Sequence, residues 1–155
     1  MNEDWTLHIA LMEPEIGPNA GNIGRLCLGI GAQLHLIHPL GFQTDDKAVR
    51  RAGLDYWKHV SVIEHESADA FWLWATDRRV HLFSTKSDRP YTQTPWKAGD
   101  VLLFGPESRG LPEALLHEKG AWTIPMTGPI RSLNLANAVA VVAYGALQQI
   151  EPRLF

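Results

Sequence analysis

The stretch Ala121–Ile150, AWTIPMTGPIRSLNLANAVAVVAYGALQQI, decides how the rest of the chain is read. It opens on a short β-like segment, Trp122 to Ile124. Pro125, Gly128 and Pro129 then break regular structure, since proline lacks an N–H and glycine tolerates positive φ. A helix pattern follows: Leu135, Ala138, Val139, Val142, Ala146 and Ile150 recur at three- and four-residue spacing, with Ser132 or Asn134 available as the cap. No polar residue falls between Ala138 and Ala143, and a helix apolar all round is normally buried all round. In a chain of 155 residues this predicts a helix packed on its own domain and on a second copy. A central core helix of a monomer is the plainer alternative. The polar loop before it, with Arg131, Ser132 and Asn134, leads to a helix N-terminus, where unpaired N–H groups can hold a ligand.

The length predicts a single domain over residues 1–155, able to bury roughly 68–70% of its unfolded surface without staples. One cysteine, Cys27, excludes an internal disulfide and a thiolate zinc cluster, and fits a buried apolar role in a reducing cytoplasm. No signal peptide is expected, because Asn2, Glu3 and Asp4 precede only a short apolar run, and no segment reaches the ~18 apolar residues of a membrane span. The net charge of −3 does not advertise a nucleic-acid partner. Local patterning says more: Lys47, Arg50, Arg51 and Lys58 form a basic group able to meet phosphates, with Glu64, Glu66 and Asp69 downstream. An ordinary solvated helix face is the alternative.

Working back to the start, Thr6 to Met12 predicts a buried strand and Glu13 to Asn22 a Pro/Gly-rich loop, with a helix from about Asn22 to Gly31. Strands are expected at Gln33–Ile37, His59–Ile63, Arg79–Phe83 and Val101–Phe104, and helices at Asp45–Ala52, Ala68–Ala75 and Pro112–Glu118. Ser87 to Gly99 is expected as a flexible site rim or a plain surface loop. Alternation of strand and helix predicts an α/β fold with a mostly parallel sheet covered on both faces.

Several familiar chemistries are excluded. Gly29-Ile30-Gly31 ends a helix and lacks a third glycine, so it is no dinucleotide fingerprint, and no P-loop occurs. His35 and His38 lie on a strand at a spacing that sends them to opposite sides, which makes them poor joint ligands; no metal is expected. Ser84, Ser108 and Ser132 lack the GxSxG frame of a nucleophile elbow. What remains are loops after strands: Pro18 to Asn22 with Arg25 a turn later, Gly105 to Gly110, and Thr127 to Leu133. In open α/β sheets, such loops converge on ligands.

Taken in order, PNAGNIGRLC (from Pro18), LLFGPESRGLP (from Leu102) and IPMTGPIRSLNLANAVAVVAYGAL (from Ile124) resemble the three motifs of the knotted RNA 2′-O-methyltransferases called SPOUT enzymes. AGLDYWKHV (Ala52 to Val60) and the short length resemble the branch acting on the tRNA wobble cytidine or uridine. The resemblance covers almost the whole chain. It implies a deep C-terminal trefoil knot, a homodimer, tRNA as partner, and S-adenosylmethionine as methyl donor with S-adenosylhomocysteine as product. Phe83, Ser84, Gly105, Ile124, Met126, Ser132 and Leu133 would surround the donor. Arg25 would serve the 2′-hydroxyl as base or as electrostatic anchor, Asn19 would orient Arg25 or the ribose, Arg131 would meet phosphate and Tyr144 would order the site or interface. Arg50, Arg51, Lys58, Lys86 and Arg89 are the expected RNA contacts. Methylation of another RNA, such as rRNA, or a non-catalytic RNA- or nucleoside-binding dimer are the competing readings.

Overall fold

The computed structural model describes residues 4–44 and 54–155. Five strands form one sheet in the order β3-β2-β1-β5-β4, with every pairing parallel: β1 Leu7–Met12, β2 Ala32–Ile37, β3 Val62–His65, β4 Val80–Phe83 and β5 Val101–Phe104. Burial on both faces explains why β1 and β5 read as almost unbroken apolar runs. Among the described residues the α-helices are α1 Gly17–Ile30, α2 Ala68–Trp74, α3 Glu113–Lys119 and α4 Leu135–Ile150.

The pleat sends alternate strand residues to two cores. Leu7, Ile9, Leu11, Leu34, Leu36, Leu102 and Phe104 meet Ile23 and Cys27 of α1 and Val139, Val142, Ala143 and Ala146 of α4. Each fully buried aliphatic side chain contributes roughly 1.5–3 kcal/mol. On the other face Ala10, Met12, Ile37, Leu82 and Leu103 pack with Phe71 and Ala75, with Leu115 and Leu116 of α3 at the margin.

That second face also carries a buried chain of imidazoles. His8 Nδ1 and His35 Nε2 lie 2.9 Å apart, as do His35 Nδ1 and His65 Nε2. Arg78 reaches His8 Nε2 at 3.3 Å, and Trp74 of α2 covers the row, its ring 4.3 Å from that of His35. His38 stands apart from the row, paired with Glu64 at 2.6 Å.

The structure corrects several expectations. α1 begins at Gly17, so the stretch expected as loop up to Asn22 is helical, with Pro18 in the first turn, where its missing N–H costs nothing. His59 closes a 3-10 turn, Leu54–His59, and the strand starts at Val62. The Ser87–Gly99 stretch is no loose rim: Trp96 is buried and stacks on Phe83, and Arg89 and Tyr91 pair through their backbones with Thr123. Within the single chain α4 buries one face and leaves Val141 and Tyr144 exposed at 37% and 49%, so it is not the central core helix of the plainer alternative. The helix expected over Asp45–Ala52, with Lys47, Arg50 and Arg51, lies outside the described residues.

The segment after α3 runs between two other parts of the chain. Trp122 bonds β4 through Leu82 O and the Ser84 amide, each at 2.9 Å, while Thr123 bonds Arg89 O and the Tyr91 amide, each at 2.7 Å. Asn134 caps α4, which then returns to α1 on the far side of the sheet centre.

Candidate active site

Strand order turns back at the β1–β5 seam, since β1 leads outward through β2 to β3 while β5 lies on its other side. The loops leaving the carboxyl ends of these two strands meet there, the usual place for a ligand in an open α/β sheet. α1 begins at that point with Ile16 as N-cap, a residue with no side-chain oxygen. Glu107, from the loop after β5, supplies one instead. Its carboxylate accepts from the Glu15 amide at 2.8 Å, the Ile16 amide at 3.0 Å and Asn19 Nδ2 at 3.1 Å. A carboxylate suits the positive end of a helix, and bonds to a charged acceptor are the strong kind.

Glu15 returns the contact. Its carboxylate accepts from the Ser108 amide at 2.7 Å and the Ser108 hydroxyl at 2.9 Å, and these bonds hold its pKa below the ordinary value. Arg109 donates to Glu13 at 2.7 Å. Gly105 brings the turn close enough, because a Cβ there would fall 2.3 Å from the backbone of Gly110 and of Leu111.

The third loop joins through Asn19, which is only 6% exposed. Its Oδ1 accepts from Asn134 Nδ2 at 3.0 Å, while Asn134 Oδ1 accepts from the Ala136 and Asn137 amides at 2.8 and 3.3 Å. Glu107, Asn19 and Asn134 thus connect the N-termini of α1 and α4 in one polar chain.

The expected residues divide. Asn19 sits at the centre, but its partners are Glu107 and Asn134. Arg25 is exposed on α1 with its guanidinium 5.4 Å from the Tyr56 ring centre. Arg131 is exposed on the last loop and Tyr144 on the outer face of α4. Phe83 is a core residue stacked on Phe104 at 5.1 Å, so only its backbone is placed to meet a ligand. The Ser84 amide bonds Trp122, and its hydroxyl accepts from the Lys86 amide at 3.0 Å. Gly105 is buried and Ile124 half-buried, while Met126, Ser132 and Leu133 are exposed on the last loop.

Among the expected RNA contacts, Lys58 is exposed and Lys86 pairs with Glu113 at 3.0 Å. Arg89 stacks on Trp122 at 4.1 Å and donates to Ala121 O at 3.2 Å, so much of its function is to hold the chain there. Lys86, Arg89, His117 and Lys119 line a cleft of about 650 Å³ beside α3, apart from the expected methyl-donor residues. Arg50 and Arg51 lie outside the described residues. Sequence reasoning missed Glu107 and the linking role of Asn134; an acidic residue directly after a strand-ending Gly-Pro was the available signal. Among the described residues, no group of three or more His, Cys, Asp or Glu could hold a metal ion, and no helix is long and apolar enough to cross a membrane.

Known proteins resemble this chain in both sequence and fold. A tRNA (cytidine(34)-2′-O)-methyltransferase of Escherichia coli (strain K12) is 46% identical over 147 residues, 93% of this chain and 94% of the relative. A solved structure described as giving insight into 2-OH methylation of C/U34 on tRNA superposes with a TM-score of 0.90 at 47% identity, covering 95% of this chain and 97% of the other. An AdoMet-bound rRNA methyltransferase from Sinorhizobium meliloti superposes with a TM-score of 0.84 at 25% identity, covering 94% of this chain and 57% of that one. The model of the SpoU rRNA methylase family matches residues 6–144, and the chain belongs to that family.

Proposed function

We propose that this chain is a single-domain methyltransferase, dependent on S-adenosylmethionine, that methylates the ribose 2′-hydroxyl of the wobble cytidine or uridine in the tRNA anticodon loop. The observation that carries the reading is the Glu107–Asn19–Asn134 chain, which fastens three strand-end loops around one seam. Relatives named for that reaction match nearly end to end.

The residues present suit a nucleoside ligand. Met126 and Leu133, at 36% and 38% exposure, leave apolar surface on the last loop, of the kind that lines a nucleoside site. When bound, S-adenosylmethionine supplies a methyl group on a positive sulfur, and S-adenosylhomocysteine is the product. The protein's part is alignment and handling of one proton. Alignment contributes on the order of 7–11 kcal/mol in favourable cases. A guanidinium offers donors and no acceptor, so we assign Arg25 to anchoring substrate phosphate and stabilising the developing alkoxide. Arg131 meets a second phosphate, and exposed Lys58 extends the basic surface. An unpaired anticodon nucleotide gives access to the 2′-hydroxyl.

The tail is read as a trefoil knot. In support, Trp122–Thr123 is flanked by β4 on one side and by Arg89–Tyr91 of the following loop on the other. The chain is also read as a cytoplasmic homodimer, with the exposed Val141–Tyr144 face of α4 at the seam between copies.

Nucleoside mass spectrometry of tRNA incubated with protein and S-adenosylmethionine tests the function. Methylated ribose at the wobble position is the expected product, and methylation elsewhere or none at all refutes it. Arg25→Ala abolishes turnover, whereas Arg25→Lys keeps part of it as a point-charge anchor.

A further inference from the structure

We propose that Tyr56 is a positioning residue for Arg25, set in place by the docking of Trp57 on Gly24. The inference rests on Arg25 being the reactive-site arginine proposed above. Residues 54–59 form a 3-10 turn that lies against α1. At Gly24 the helix has no side chain, and the Trp57 indole occupies that room: a Cβ at position 24 would lie 2.6 Å from one indole carbon and 3.0 Å from another. Val60 approaches the same point at 3.4 Å, and its amide bonds Trp57 O at 3.0 Å to close the turn. Trp57 and Val60 both pack against the core of α1 and α4.

The next pair along both segments meets as well. With Trp57 fixed over Gly24, the Tyr56 ring comes to 5.4 Å from the Arg25 guanidinium carbon. Two consecutive residues of the turn therefore engage two consecutive residues of the helix, one pair by close packing and the other by a cation over a ring. An exposed arginine otherwise samples many rotamers, and a face of π electrons both attracts the guanidinium and restricts it without neutralising its charge. An acidic partner would also restrict it, but would weaken its pull on phosphate. The ring is thus suited to an arginine that must stay available to an anionic substrate.

The test compares Tyr56→Leu, Tyr56→Phe and Arg25→Ala, each assayed for kcat on tRNA, S-adenosylmethionine affinity by calorimetry, and melting temperature. Tyr56→Leu is expected to lower kcat about 3- to 10-fold, the range a cation–π contact supports, with donor affinity and melting temperature unchanged. Tyr56→Phe restores kcat to within about twofold of the parent, because the ring remains. Tyr56→Leu at parental kcat, or Tyr56→Phe as impaired as Tyr56→Leu, overturns the proposal. So does a loss in Tyr56→Leu that tracks melting temperature or donor affinity. Full activity in Arg25→Ala instead sinks the assignment of Arg25, a separate failure. NMR of the parent chain gives a readout independent of variants: the Arg25 Hε resonance is expected upfield from ring current. An Arg25 side chain with averaged shifts in the folded parent would contradict the proposal.

Discussion

Asn19 and Asn134, 115 positions apart in sequence, share a side-chain hydrogen bond of 3.0 Å. Asn134 uses its amide nitrogen for that bond and its oxygen to cap α4. The two roles separate by substitution. Asn134→Asp keeps an N-cap acceptor and removes the donor, so melting temperature should hold while methyl transfer falls at least tenfold. Asn134→Ala loses the cap as well, at a cost of about 1 kcal/mol in stability. Melting curves beside turnover for the two variants check this; equal activity loss without a stability difference contradicts it.

Glu107→Gln should destabilise the chain more than a surface substitution. The carboxylate accepts three N–H bonds at the start of α1, and an amide offers one oxygen and turns an NH2 toward donors. The expected loss is about 1–3 kcal/mol, or a fall of several degrees in melting temperature. Urea denaturation measures it, and a change within about 0.5 kcal/mol contradicts the capping role.

The sequence made the periodic elements legible, for physical reasons that also mark where it stopped. Val101–Phe104 is four apolar residues between Asp100 and the Gly105-Pro106 break, and α4 repeats its apolar positions at helical spacing. The start of α1 was hidden because its cap is Glu107, a residue far along the chain, while local signals at Glu13–Asn22 all read as turn. His35 and His38 read as one strand, but β2 ends at Ile37, and the partners of His35 are His8 and His65 on neighbouring strands, which pattern cannot pair. The site was legible as three loops through family resemblance. Which atoms join them was not.

The imidazole row predicts acid sensitivity. Arg78 can only donate, so His8 Nε2 must accept; each neutral ring then carries its proton on Nδ1 and passes the pattern to the next. No ring can gain a proton without placing two donors face to face. Burial first, then the Arg78 charge, lowers the His8 pKa from 6.5 to about 4; burial and the neighbouring rings lower His35 to about 2, and burial lowers His65. Depressed values mean that the folded chain binds fewer protons than the unfolded one. Stability is therefore full above pH 6.5 and falls as pH drops, down to about 4 for His8 and about 2 for His35. At pH 5 the loss is about 2 kcal/mol for each of these two groups. Urea midpoints between pH 7.5 and 5 should fall accordingly, and His35→Leu, though weaker at pH 7.5, should show the shallower slope. A parallel slope in that variant contradicts the row as its source.

Val141→Glu should convert the chain from dimer to monomer. Val139, Val142, Ala143 and Ala146 already face the protomer's own core, so a carboxylate at 141 leaves that packing intact. It meets only the exposed face that also carries Tyr144. Charge buried at a subunit seam without a partner costs several kcal/mol, enough to dissociate most dimers at micromolar concentration. Light scattering on the parent should give twice the chain mass of 17.3 kDa, and on Val141→Glu the mass of one chain with unchanged far-UV circular dichroism. Arg25 lies on α1 and Glu107 in the loop after β5, neither of them on α4, so a loss of turnover that accompanies dissociation with melting temperature unchanged would show that the site requires the second copy. A parent that scatters as a single chain removes the dimer from the proposal.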